Sequence, residues 1–302
     1  MYNVLIPEPI SKEAEALLEG RARIIRPAGT DERAMCEAVR DADGIVLRSK
    51  ARVTEAVLAC APRLRAVSRT GVGLDNVDMD ACARRGVAVR NLPGINAYAV
   101  AEHTMTVMLA LLKRLPLMDR AVRDGGWAIR NKNLPQDAAG KTLGVLGLGR
   151  VGREVIARAK AFGMITIGYD PYVKELDGVE WAELDDVVAR ADVLTLHLPE
   201  TPETRRIISE ARLSRMKPTS YLINASRGGV LDQSALVRAL EDHVIAGAAL
   251  DVYENEPPDA GDPLYKMDNV ILTPHSAALT EQCGAAMMLG AVNNLLEALD
   301  GQ

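Results

Sequence analysis

Three short segments carry residue types that could handle a carbonyl and a proton. Asn224-Ala225-Ser226-Arg227-Gly228-Gly229 sets a guanidinium among small residues, Asp251-Val252-Tyr253-Glu254-Asn255-Glu256-Pro257 supplies acids, and Thr273-Pro274-His275-Ser276 supplies an imidazole. Each follows an apolar run that reads as a strand: Tyr221–Ile223, Ala246–Leu250 and Val270–Leu272. All three therefore fall at the carboxyl ends of strands, the edge where open α/β sheets bind ligands. A cation, a carboxylate and an imidazole on one edge suit hydride exchange at a carbonyl. His275 would give a proton to the oxygen during reduction and remove it during oxidation. A carboxylate bonded to the imidazole would orient it and favour its charged form, and residue types alone leave Glu254 and Glu256 both open for this task. Arg227 would polarise the carbonyl and clamp a substrate carboxylate with its planar fork. The chain has four histidines. His243 sits in a polar helix end, His103 on a long helix, and His197 after a strand near the expected nucleotide site; His275, beside Pro274 and small residues at a strand end, is the best placed.

Hydride chemistry needs a carrier, and Gly147-Leu148-Gly149-Arg150-Val151-Gly152 matches the dinucleotide-binding pattern GxGxxG. It follows the apolar strand Thr142–Leu146 and opens a predicted helix, Arg150–Phe162. Gly147 permits the tight turn, Gly149 lets backbone approach a pyrophosphate, and Gly152 lets helix and strand pack closely. Free N–H groups of Arg150 and Val151 at the helix start favour an anion there. The next strand, Ile165–Tyr169, ends at Asp170, whose carboxylate would accept from the ribose hydroxyls and repel a 2′-phosphate. The cofactor predicted is NAD rather than NADP.

Strands and helices alternate through the whole chain. Val4–Ile6, Ile24-Ile25, Gly44–Leu47, Ala66–Ser68 and Val87–Val89 read as strands between helical stretches at Lys12–Leu18, Asp31–Val39, Glu55–Ala61 and Met79–Arg85, with Ser11, Thr30, Thr54 and Asp78 as N-caps. A long helix over about 97–114 carries the apolar run Val107–Leu112, as a helix buried between domains or subunits would. A second alternating series runs from Thr142 to Leu272, and a last helix covers Glu281–Leu299. Such alternation implies parallel, helix-covered sheets. The length of 302 residues suits two domains. With one Phe, seven Tyr and two Trp, the cores must be aliphatic. A net charge of −5 argues against nucleic acid or an anionic membrane as partner. The first residues do not read as a secretion signal, and no run approaches a membrane span. Cys36, Cys60, Cys82 and Cys283 are too scattered for a metal or disulfide framework, which fits a reducing, cytoplasmic setting.

Taken together, the residues resemble the D-2-hydroxyacid dehydrogenase family, in particular its phosphoglycerate-dehydrogenase-like and hydroxypyruvate or glyoxylate reductase-like members. The resemblance covers nearly the whole chain: Gly71-Val72-Gly73-Leu74-Asp75-Asn76-Val77-Asp78, Asn91-Leu92-Pro93-Gly94, Ala99-Val100-Ala101-Glu102, the Gly147–Gly152 turn, His197-Leu198-Pro199, Asn224–Gly229, Leu250–Pro257 and Thr273-Pro274-His275. It implies that Arg227, Glu256 and His275 are catalytic, choosing Glu256 over Glu254. It implies that backbone at Val72 and Gly73 binds the substrate carboxylate, with Arg48, Ser49 and Lys50 bordering the pocket. Thr104 would lie near the cofactor phosphates, His197, Pro199 and Ala225 near the cofactor, and Asp251 on the nicotinamide carboxamide. The implied fold is two doubly wound parallel-sheet domains. A Rossmann cofactor domain (96–279) is inserted into a discontinuous, flavodoxin-like substrate domain (1–95 and 280–302), with substrate in the cleft. The implied assembly is a homodimer joined through the long-helix region.

One segment departs from the family pattern: Ser276-Ala277-Ala278 stands where glycines are common, which predicts a slightly tighter pocket. The end at residue 302 leaves no room for the regulatory C-terminal domain of longer phosphoglycerate dehydrogenases, so feedback by serine is not expected. Arg48, Lys50, Arg52 and Arg69 crowd the substrate segments and point to a second anionic group. D-3-phosphoglycerate is thus the favoured substrate, with glyoxylate, hydroxypyruvate or D-lactate chemistry as the alternative. An NAD-sensing corepressor of the same fold is the rival from another class, and an intact Arg227–Glu256–His275 set speaks for an enzyme. Formate oxidation would call for Gln in place of Glu256.

Overall fold

Short β-branched runs make the strands of the first unit, and their alternation sends side chains to two faces. The structure, a computed structural model, describes residues 1–132 and 134–301. The chain divides into two compact units, one of Met1–Asn96 with the residues from Leu279 onward, the other of Ala97–Ala278. The first contains β1 (Tyr2–Leu5), α1 (Lys12–Ala16), β2 (Ala22–Ile25), α2 (Glu32–Ala38), β3 (Gly44–Leu47), α3 (Glu55–Ala59), β4 (Ala66–Arg69), α4 (Met79–Arg84), β5 (Ala88–Arg90) and, from the chain's end, α11 (Glu281–Asp300). All its strands are parallel, in the order β2-β1-β3-β4-β5, which is the flavodoxin-like order. Leu5, Ile45, Leu47 and Val67 pack with α2, α3 and α4 on one face. Val4, Val46 and Ala66 pack with α1 and with Val292, Leu295 and Leu296 of α11 on the other.

Side-chain caps start these helices. Ser11, Asp31, Thr54 and Asp78 each accept the backbone N–H three residues on, worth about 1 kcal/mol apiece. The cap of α2 is thus Asp31, one residue beyond the predicted Thr30. Its carboxylate reaches the Ala34 N–H and adds charge to the hydrogen bond.

The second unit contains α5 (Ala97–Leu112), α6 (Leu115–Arg123), β6 (Thr142–Leu146), α7 (Arg150–Ala161), β7 (Ile165–Tyr169), β8 (Glu180–Trp181), α8 (Leu184–Arg190), β9 (Val193–Leu196), α9 (Glu210–Leu213), β10 (Tyr221–Asn224), α10 (Gln233–Glu241), β11 (Gly247–Leu250) and β12 (Val270–Leu272). Its seven parallel strands are ordered β12-β11-β10-β9-β6-β7-β8, so the winding reverses between β6 and β9. That is the doubly wound arrangement expected, with α5 and α7 on one face and α8, α9 and α10 on the other.

The long helix departs from expectation. It ends at Leu112 because Arg114 takes a left-handed conformation (φ 50°) and Pro116 opens α6, an element that periodicity alone did not separate. Val107, Met108, Leu111 and Leu112 are buried in the core of their own unit, while Leu109 and Ala110 between them are half-buried. Exposed apolar side chains instead lie further along, at Leu115, Val122, Trp127 and Leu134. Among the described residues no helix is long and apolar enough to cross a membrane, and no group of three or more His, Cys, Asp or Glu could hold a metal ion. All four cysteines are free thiols.

Candidate active site

Adjacent strands β10, β11 and β12 end in the three chemistry-bearing loops, and those loops are tied to one another. His275 Nδ1 lies 2.7 Å from Glu256 Oε2. Glu256 also accepts the Tyr253 N–H through Oε1 at 3.1 Å, so both its oxygens are held. Burial pushes the Glu256 carboxyl up. The His275 hydrogen bond and charge, the Tyr253 N–H and the charge of Arg227 outweigh this and hold it below its ordinary 4.5. Of the three predicted catalytic residues, the structure pairs His275 and Glu256 directly, and the charge of Arg227 acts on Glu256. Glu254 is engaged elsewhere, in a 2.6 Å ion pair with Arg206.

Buried polar groups fix the loops that present these side chains. The Asn224 amide at the end of β10 accepts from the Ser226 N–H and hydroxyl and donates to the Arg227 carbonyl. Arg227 Nη1 in turn donates to the Ser226 carbonyl. At the end of β11, Asp251 is only 3% exposed. Its Oδ1 accepts from the Thr273 hydroxyl at 2.5 Å and the Ser276 N–H at 2.8 Å, and its Oδ2 from the Ala277 N–H at 2.9 Å. Its carbonyl accepts the His275 N–H. The carboxylate expected on the nicotinamide carboxamide is thus first engaged in holding the His275 turn, with lone-pair capacity left on Oδ2 only. The Tyr253 hydroxyl donates to the Thr273 carbonyl; burial, with the charge of Asp251, pushes that phenol up to about 12 and keeps it a donor. Sequence reasoning gave Asn224, Tyr253 and Thr273 no role. An amide closing the apolar strand Tyr221–Ile223, two residues before a serine, was the available sign of the first.

The glycine turn fits a dinucleotide pyrophosphate. Gly147 has φ +98°, and a Cβ there would stand 2.4 Å from the His197 carbonyl oxygen; one at Gly152 would stand 2.1 Å from the Gly147 oxygen. A Cβ at Gly149 would meet nothing within 4 Å, so the space above the α7 N-terminus is open. The first-turn N–H groups there, including those of Arg150 and Val151, have no partner within the helix. Asp170 is buried and engaged: Oδ1 accepts the N–H groups of Tyr172 and Val173, and Oδ2 that of Leu148. It therefore fastens the glycine turn to β7 and retains room for one further donor on Oδ2.

Other predicted cofactor residues are placed unequally. His197, at the end of β9, has Nε2 3.0 Å from Thr195 Oγ1, while Nδ1 is shut off from solvent without a partner among the described residues; burial pushes the imidazole down to about 4 and favours its neutral form. Pro199 is exposed, with its carbonyl accepting from Thr204, and Ala225 is half-buried. Thr104 has no exposed surface, and its hydroxyl donates to the Val100 carbonyl within α5.

The substrate-segment residues lie in the other unit, where side chains again hold the backbone. Glu8, 6% exposed, accepts the N–H groups of Lys50 and Ala51. Asn76 donates to the carbonyls of Arg48 and Ala51, and Asn91 to that of Val72. The Val72 and Gly73 N–H groups have no protein acceptor among the described residues, a fit for a carboxylate. Arg48 Nη1 donates to the Pro9 carbonyl at 2.6 Å, whereas Ser49 and Lys50 are exposed.

Comparison with known proteins adds the family context. Residues 105–277 match the model of the D-isomer specific 2-hydroxyacid dehydrogenase, NAD binding domain. D-3-phosphoglycerate dehydrogenase of Methanocaldococcus jannaschii is 40% identical over 307 residues, covering all of this chain and 58% of its own length. The chain thus spans a little over half the length of that relative. Among solved structures, a protein of Thermus thermophilus superposes with a TM-score of 0.93 at 34% identity, covering 99% of this chain and 97% of its own. D-Lactate dehydrogenase of Aquifex aeolicus, complexed with NAD and lactic acid, gives 0.86 at 32% identity, covering 99% and 96%.

Proposed function

Since the chain belongs to the D-isomer specific 2-hydroxyacid dehydrogenase family and carries its NAD-binding domain, we propose that it interconverts D-3-phosphoglycerate and the corresponding 2-oxo acid. The observation that supports this most is the 2.7 Å His275–Glu256 pair, with Arg227 acting on the same carboxylate. The chemistry supplied by a bound NAD would be hydride exchange with C2 of the substrate. His275 removes the C2 hydroxyl proton in oxidation and returns it in reduction. Glu256, held ionised, keeps Nδ1 protonated, so that Nε2 is the nitrogen that gains and loses the proton. Arg227 polarises the carbonyl and steadies the adjoining carboxylate. Gly147, Gly149, Arg150, Val151 and Gly152 would hold the pyrophosphate, and Asp170 a ribose hydroxyl, with its charge disfavouring NADP. His197, Pro199 and Ala225 contribute to the cofactor's surroundings.

Recognition of the substrate's anions is assigned to the first unit: the carboxylate to the N–H groups of Val72 and Gly73, the phosphate to the segment Arg48-Ser49-Lys50. A homodimer is proposed through the exposed apolar residues Leu115, Val122, Trp127 and Leu134, and the four free thiols suit a reducing compartment such as the cytoplasm. The similarity to a protein named D-3-phosphoglycerate dehydrogenase supports the choice of substrate. The test is a set of initial rates followed by NADH absorbance with 3-phosphohydroxypyruvate, hydroxypyruvate, glyoxylate and pyruvate. At least a tenfold advantage in kcat/KM, roughly 1.4 kcal/mol, is expected for the phosphorylated acid. Equal rates across the four would overturn the assignment.

A further inference from the structure

His103 is the one histidine of the long helix, and the proposed reaction leaves it without a task. Around it α5 is buried, with Val100, Ala101, Thr104, Met105 and Val107 covered. An aliphatic side chain would suit such a position, yet this one is an imidazole, 18% exposed. Its Nε2 lies 3.2 Å from Thr273 Oγ1 and 3.8 Å from Asp251 Oδ1. The Thr273 hydroxyl proton is directed to Asp251 Oδ1 at 2.5 Å, so the oxygen can only accept from His103. Nε2 must therefore carry a hydrogen, and a directed series results: His103 N–H to Thr273 O–H to Asp251 carboxylate.

That carboxylate is what holds the turn bearing the shuttle imidazole. His275 has φ +51°, a left-handed conformation unfavourable for a residue with a Cβ. Three groups around it bind Asp251: the His275 N–H on its carbonyl, and the Ser276 and Ala277 N–H groups on its carboxylate. The orientation of one buried carboxylate thus bears on where the 275 side chain points, and the Thr273 hydroxyl, bonded to Oδ1, links that orientation to His103. We infer that His103 is a positioning residue: through Thr273 and Asp251 it locks the strained turn at His275 in the conformation that proton transfer requires. The inference rests on the proposed function for its kinetic consequence only; the mechanical linkage stands by itself.

The experiment compares His103→Leu, which keeps bulk and removes the donor, with His103→Gln, whose amide restores an N–H at similar reach. In the Leu variant kcat for 2-oxo acid reduction should fall about 10–100-fold, as expected when a reacting group is displaced by an ångström or less. KM should change less than about threefold, and the primary isotope effect with 4-deuterated NADH should rise. The Gln variant should recover to within about fivefold of wild type. Hydrogen exchange at the Ser276 and Ala277 amides, read without substrate, should quicken about tenfold or more in Leu and stay near wild type in Gln. Wild-type exchange in the Leu variant, or equal losses in Leu and Gln, would overturn the inference. If the Leu variant does not fold, His103→Asn, too short to reach Thr273, takes its place with the same expectations. Absence of turnover by wild type on every 2-oxo acid would sink the proposed function, while the exchange comparison would still decide the role of His103.

Discussion

The two sets of loops predicted to meet the substrate differ in what their side chains hold. In the second unit, side chains hold one another as well as backbone: His275 on Glu256, Arg227 acting on Glu256, Thr273 on Asp251. In the first, buried or half-buried side chains hold backbone alone: Glu8 on two N–H groups, Asn76 on two carbonyls, Asn91 on the carbonyl of Val72. The first plan suits proton transfer, where the pKa and direction of a side chain decide the outcome. The second suits recognition, where fixed N–H groups and solvated cations meet an anion already charged. One region should therefore respond to substitution through rate, the other through affinity.

The largest effect is expected at the imidazole. His275→Ala should lower kcat by about 10²–10⁴-fold, the usual range for a lost general acid or base, with NADH affinity near wild type. Stopped-flow titration of NADH fluorescence alongside turnover separates the two. A large loss of cofactor affinity would show that the second unit's loops serve binding as much as chemistry and would erase the contrast.

A second effect is thermodynamic and concerns His197. Its imidazole is pushed from 6.5 down to about 4 by burial. Above pH 6.5 both folded and unfolded chains carry it neutral, and it adds nothing to the pH dependence. As the pH falls below 6.5 the unfolded chain gains a proton that the folded chain refuses until about pH 4, so stability is lost across that window. The loss is roughly 2 kcal/mol at pH 5. His197→Gln, which stays neutral, should therefore unfold at nearly the same urea concentration as wild type at pH 7.5 but be more resistant at pH 5. Parallel acid sensitivities of the two would show that the ring is solvated.

How much of this was legible follows from range. Parallel sheets were readable because each strand is a short apolar run between capped helices, and the glycine turn because φ and packing at Gly147 and Gly152 admit no side chain. The two-residue strand β8 escaped because Glu180-Trp181 is too short to show a period. Helix α6 escaped because Pro116 reads as a breaker when it opens a new helix. The sequence could mark His275 as well placed, yet its bond to Glu256 spans 19 residues and that of Thr273 to His103 spans 170. Contacts at such separations leave no local pattern. The bond of the Thr104 hydroxyl to Val100 spans only four residues, yet it shows only once the helix is formed.

The smallest effect tests the other side of the comparison. Lys50 is exposed, its backbone held by Glu8 while its ammonium stands in solvent. An exposed charge pair contributes about 0–1 kcal/mol, so Lys50→Ala should raise KM for the phosphorylated acid by only about three- to fivefold and leave kcat unchanged. The same variant should leave KM for glyoxylate unaltered, because that acid lacks the second anion. Raising ionic strength from about 0.05 to 0.5 M shrinks the screening length to a few ångströms and should bring wild type and variant together. A drop in kcat, or a penalty that salt does not diminish, would mean that this cation is desolvated against the reacting groups, and the first unit would then share the proton-handling plan of the second.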